Sequence, residues 1–63
     1  MINFVGCANT TIHTNDVGCA PLIGDVVTLS QDGVDRQYRV VDRHWIYDKH
    51  GILKEIQVVC HNT

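Results

Sequence analysis

The dipeptide Asp32-Gly33 constrains this chain more than any other feature. It stands between the β-branched run Val26-Val27-Thr28-Leu29-Ser30 and the alternating segment around Tyr38-Arg39-Val40. Gly reaches positive φ at no steric cost and Asp reaches it more readily than most residues, so the pair suits the type I′ turn of a tight hairpin. With a two-residue turn, Gln31 faces Val34. Counting outward, Leu29 faces Arg36 and Val27 faces Tyr38. A four-residue loop from Asp32 to Asp35 keeps the same pairing and only shortens the ladder.

The rest of the chain reads in the same period. No window of a helix's length keeps apolar residues at i, i+3, i+4 and i+7. Ile2 to His13 is expected to form two short strands rather than one, with a bend or bulge at Gly6. Thr14 to Gly18 reads as loop. Pro21 lacks the N–H that a central ladder needs. Gly24 allows a sharp turn into the next strand, and the Asp25 carboxylate can accept N–H groups of the loop and hold that turn.

The third long strand, Arg36 to Tyr47, contains a phase conflict. Val40 shares parity with Tyr38, Trp45 shares the other parity with Tyr47, and both Val40 and Trp45 look core-facing. A strict alternation cannot bury both. A bulge near Val41 to Arg43 resolves the conflict and bends the strand. Asp48-Lys49-His50-Gly51 is the next turn, with Gly51 at the left-handed position. In the last strand, Ile52 to Cys60, the even residues Ile52, Lys54, Ile56, Val58 and Cys60 form the expected buried face.

These elements define the expected fold class: all-β, one small SH3-like barrel of about five short antiparallel strands across residues 1–63, with little or no helix. A sandwich needs more strands than 63 residues supply. No apolar run reaches the length of a membrane span, and the start lacks the pattern of a signal peptide. The expected location is therefore cytoplasmic, with no membrane partner.

The pattern Pro21-Leu22-Ile23-Gly24-Asp25-Val26-Val27, then Tyr38-Arg39-Val40, then Trp45, then Ile56-Gln57-Val58-Val59 is similar to small β-barrel proteins of bacteria and their phages. Its Gly-Asp-x-Val opening resembles the first strand of SH3-like and KOW-type barrels. The resemblance covers Pro21 to Val59 and implies an adaptor, a virion or accessory protein, or an inhibitor of a host system. It carries no set of functional residues.

Chemistry-bearing residues are present without the spacing that chemistry needs. Cys7, Cys19 and Cys60 stand beside His13, His44, His50 and His61. There is no Cys-x-x-Cys, the one His-x₃₋₅-His spacing, His44 to His50, has no Cys pair to complete it, and adjacent Cys60 and His61 point to opposite faces of a strand. Cys7, His13 and Cys19 are the least unsuitable zinc set. A Cys7–Cys19 disulfide would staple the loop, but in a reducing compartment three buried thiols are expected. No Gly-flanked nucleophile turn and no phosphate-binding Gly loop occurs. Asp32 and Asp35 belong to a hairpin tip. No cofactor and no metal are expected, and the chain reads as a binding protein rather than an enzyme.

Charge separates the two halves. Residues 1–35 hold no Lys or Arg, and all five lie in residues 36–63: Arg36, Arg39, Arg43, Lys49 and Lys54. Arg39 and Arg43 share parity with Trp45 and Tyr47 if no bulge intervenes. The candidate binding surface is Arg39, Arg43, Trp45, Tyr47 and Lys54. Arg, Trp and Tyr are the residues that anchor protein interfaces, so a protein partner is the first expectation. The alternative is a nucleic acid, stacked on the aromatics and held by the arginines, which the net charge of -2 disfavours. The second alternative is an oligomeric enzyme with its site between subunits. A homodimer is also expected, because a core this small gains from association, with the first strand (Phe4, Val5 and Ile12) as its contact edge.

Overall fold

The computed structural model describes residues 1–6, 10–15 and 19–62. Five strands follow in chain order: β1 (Ile2–Val5), β2 (Thr11–Asn15), β3 (Val26–Gln31), β4 (Val34–Tyr47) and β5 (Leu53–Asn62). They form one sheet in the order β2-β1-β5-β4-β3. The sheet curls into a half-barrel, all-β and consistent with a small SH3-like barrel. Its two end strands, β2 and β3, approach each other across the opening.

The β3–β4 hairpin has the register read from its turn. Gln31 pairs with Val34, Leu29 with Arg36 and Val27 with Tyr38. Asp32 has φ 54° and Gly33 φ 79°, the two positive values of a type I′ turn. Gly24 turns at φ 98°, and the Leu22 N–H donates to Asp25 Oδ2 at 2.9 Å, which holds the start of β3. Gly51 has φ 78° in the β4–β5 turn, where Asp48 Oδ1 accepts the N–H groups of His50 and Ile52.

The bulge falls at Val41. Val40 pairs with Cys60 and Asp42 with Val59, so Val41 is the extra residue. The phase of β4 changes there. Tyr38 and Val40 face inward before the bulge, and Arg43 and Trp45, opposite Val58 and Ile56, share that inner face after it.

The core lies on the inner face. Ile2 and Phe4 come from β1, Leu29 from β3, Tyr38 and Val40 from β4, and Ile56, Val58 and Cys60 from β5. Val58 and Cys60, at 0% and 1% exposure, sit at its centre.

Several expectations change. The β1–β5 pairing is parallel, with Ile2 beside Ile56 and Phe4 beside Val58, while the remaining pairs are antiparallel. The first strand is no contact edge: β1 lies between β2 and β5, and Phe4 and Val5 are buried. Ile12 lies on β2, partly buried against the core. Ile52 and Lys54 are exposed, because β1 begins only opposite Ile56 and nothing in β1 covers the start of β5. Thr14 and Asn15 belong to β2 rather than to a loop. The remainder of that loop, Asp16 to Gly18, lies outside the described residues.

Candidate functional site

The five candidate binding residues divide at the Val41 bulge. Arg39 precedes it, on the outer face opposite to Tyr38 and Val40. Its guanidinium Nη1 donates to the Gly24 carbonyl at 3.1 Å, so Arg39 ties β4 to the turn before β3. It therefore leaves the surface on which the alternation before any bulge had placed it. Arg43, Trp45 and Tyr47 follow the bulge and share the inner face. Lys54 stands at a second irregularity, the residue left over where Ile46 pairs with Glu55 and Tyr47 with Leu53.

Trp45, one of the two residues expected to face the core, faces it but is not covered by it. It remains 44% exposed and Tyr47 56%. The reason lies in strand lengths. β3 begins opposite Arg39, so among the described residues β4 beyond Val40 has no strand neighbour on that side. β5 meets β1 only from Ile56 onward. The end of the β4–β5 hairpin is therefore a two-stranded ribbon beyond the core. Its inner face continues the apolar floor of Ile2 and Ile56 into solvent.

Arg43 completes the surface. Its guanidinium carbon lies 5.7 Å from the centroid of the Trp45 ring, within reach of the ring's negative face. A cation–π contact at this distance favours the two side chains in this arrangement. The Arg43 N–H donates to Asp42 Oδ1 at 2.9 Å, and Glu55 accepts from Asn3 Nδ2 at 3.2 Å. Both carboxylates are thus engaged by groups other than the Arg43 guanidinium. Exposed Leu53 extends the apolar part, opposite Tyr47.

At the other end of the inner face, Gly6, Ile12, Tyr38, Cys60, His61 and Asn62 line an open cleft of about 370 Å³. The Cys60 thiol is buried at its floor and donates to the Val58 carbonyl at 3.6 Å. Cys19 is an exposed thiol outside any disulfide, contrary to the expectation of three buried cysteines, and Cys7 lies outside the described residues. Among the described residues, no group of three or more His, Cys, Asp or Glu side chains gathers where it could hold a metal ion. No described helix is long and apolar enough to cross a membrane.

Compared with models of protein families, with curated proteins and with solved structures, the chain matches none. The functional reading therefore rests on the site's own chemistry.

The sequence pattern groups Arg39 with Arg43, Trp45 and Tyr47, and the structure puts Arg39 on the opposite face. The bulge expected from the same pattern is the signal that separates them. The pattern misses Leu53, because an apolar residue at a strand's start carries no mark of exposure.

Proposed function

We propose that this chain is a binding module that works by protein–protein contact, through the inner face of the β4–β5 hairpin. Arg43, Trp45 and Tyr47 form the contact surface, with Lys54 at its margin. The observation that carries this reading is the exposed Trp45 ring with the Arg43 guanidinium stacked over it. Large aromatic and Arg side chains contribute most of the energy at protein interfaces, and a side chain held in place before binding costs less to order. The hairpin beyond Val40 balances Arg43, Lys49 and Lys54 against Asp42, Asp48 and Glu55. That balance suits a protein partner better than a polyanion. A phage or mobile-element accessory protein, acting in the cytoplasm on a host or virion protein, fits the resemblance of Pro21 to Val59.

The test is capture of a partner from host lysate by the wild-type chain and by the Arg43→Glu/Trp45→Ala variant. The expected result is loss of the captured protein with the strand circular-dichroism signal intact. Arg43 is half-buried and Trp45 partly covered, so the circular-dichroism signal is what separates loss of binding from loss of fold. Equal capture by the variant overturns the reading. So does tight binding of DNA or RNA whose log affinity falls steeply with log salt, the mark of phosphate contacts.

A further inference from the structure

Strand β4 outruns its neighbour. The last β3-side contacts are at Val40, whose N–H donates to the Asp25 carbonyl at 2.9 Å and whose carbonyl accepts the Gly24 N–H at 2.8 Å. Among the described residues, β4 from Val41 to Tyr47 is paired on one side only, with β5. In a strand of given direction, the face of a side chain fixes the side toward which its N–H and C=O point. Tyr38 and Val40 face inward and point their backbone groups toward β3. After the bulge the inward residues are Arg43, Trp45 and Tyr47, so their backbone groups point to the open edge. The Arg43 N–H, turned away from β5 to meet Asp42 Oδ1, agrees with this phase. His44 and Ile46 point theirs into the β5 ladder. Trp45 and Tyr47 of the aromatic surface thus also carry the open backbone edge, while the Arg43 N–H on that edge is taken by Asp42 Oδ1.

Sheet edges are usually protected by Pro, by Lys, by a covering loop or by a bulge that turns the strand away, and here the bulge at Val41 comes before the edge residues Arg43, Trp45 and Tyr47. Val41 to Tyr47 contains neither Pro nor Lys, and Val41, Trp45 and Tyr47 are exposed. We infer that this edge pairs antiparallel with the same edge of a second copy of the chain, joining two half-barrels into one continuous sheet. The phase allows a twofold axis only through a residue. An axis through Arg43 would oppose two guanidinium groups. An axis through His44 places Arg43 opposite Trp45 of the second copy, and an axis through Trp45 places it opposite Tyr47. In either permitted register each cation meets an aromatic ring, a favourable cross-strand pair. The balanced charge of the hairpin lets two copies approach without net repulsion and selects no charged peptide in their place. The pairing sets both Arg43–Trp45–Tyr47 groups side by side on one face. It rests on the proposed function in taking that face as the binding surface, and it makes the complete surface a property of the dimer.

The experiment joins sedimentation equilibrium to amide hydrogen exchange over a range of concentrations, on the full chain. The expected result is a mass that doubles as concentration rises. Over the same range, exchange slows at the Trp45 and Tyr47 amides, while the His44 and Ile46 amides are protected throughout. A monomer at every concentration overturns the inference, and so does a dimer whose Trp45 and Tyr47 amides gain no protection. The two proposals fail separately. A monomer that still loses its partner on Arg43→Glu/Trp45→Ala removes the pairing and keeps the surface. A dimer with the protected amides, whose partner capture ignores those substitutions, removes the surface as a partner site and keeps the pairing.

Discussion

At residue scale, Gly33 shows what backbone conformation alone demands. A Cβ built there meets nothing within 4 Å, so space is no obstacle, but φ 79° is. A β-branched side chain in the left-handed region costs about 1–2 kcal/mol. In a domain this small each kcal/mol moves the melting temperature by about 4–8 °C. Gly33→Val should therefore melt at least several degrees below the parent in a calorimetric scan, and an unchanged Tm would remove the type I′ turn. Val58 tests packing instead. It is fully buried, beside Phe4 of β1 and opposite Arg43 of β4. Val58→Ala removes two methyl groups from a core with no slack and should cost about 2 kcal/mol, read from the urea midpoint. Trp45→Ala, by contrast, should cost less stability than Val58→Ala although it removes far more atoms, because nearly half of the Trp45 surface is already in water.

At the scale of elements, the Val41 bulge decides what the protein presents. If Val41 were paired in the ladder instead of bulged out, strict alternation from Tyr38 and Val40 would turn Arg43, Trp45 and Tyr47 to the outer face. Deleting Val41 removes the bulge and makes the β4–β5 ladder continuous, with Asp42 still opposite Val59, Arg43 opposite Val58 and Trp45 opposite Ile56, so both halves of β4 should keep their present faces. The expected outcome is an unchanged Trp45 emission maximum with strand content retained by far-ultraviolet circular dichroism, and a shifted maximum would mean that deletion had moved the hairpin end out of this register. The bulge, the Asp32-Gly33 turn and the Gly24-Asp25 corner were all legible in the sequence, because each is a local conflict or a local conformational need. Arg39 was misplaced for the same local reason. Its parity matches Arg43 by counting, and one inserted residue reverses that match.

At the scale of the whole molecule, the small core matters most. A single core below roughly 70–80 residues seldom supplies more than about 3–5 kcal/mol. Association at the β4 edge would add to that by mass action, so the melting temperature should rise with protein concentration across a hundredfold range. A concentration-independent Tm would mean that the half-barrel is stable as one copy. Because the surface pairs Arg43 with aromatic rather than anionic groups, this rise should persist in high salt, where screening weakens ion pairs most.

What the sequence by itself determined is set by interactions within a few residues of one another. The hairpin register around Asp32-Gly33, the need for a bulge in β4, and the inward parity of Ile56, Val58 and Cys60 all follow from turn chemistry and the two-residue period of a strand. Only the tertiary structure decided that β1 runs parallel to β5, that β1 is internal rather than an edge, and that Trp45 faces inward yet stays exposed. The physical reason is the same in each case. Burial depends on where neighbouring strands end, and strand order depends on how distant segments close on one another. Neither β3 beginning opposite Arg39 nor β1 beginning opposite Ile56 leaves any mark in the local pattern of Trp45.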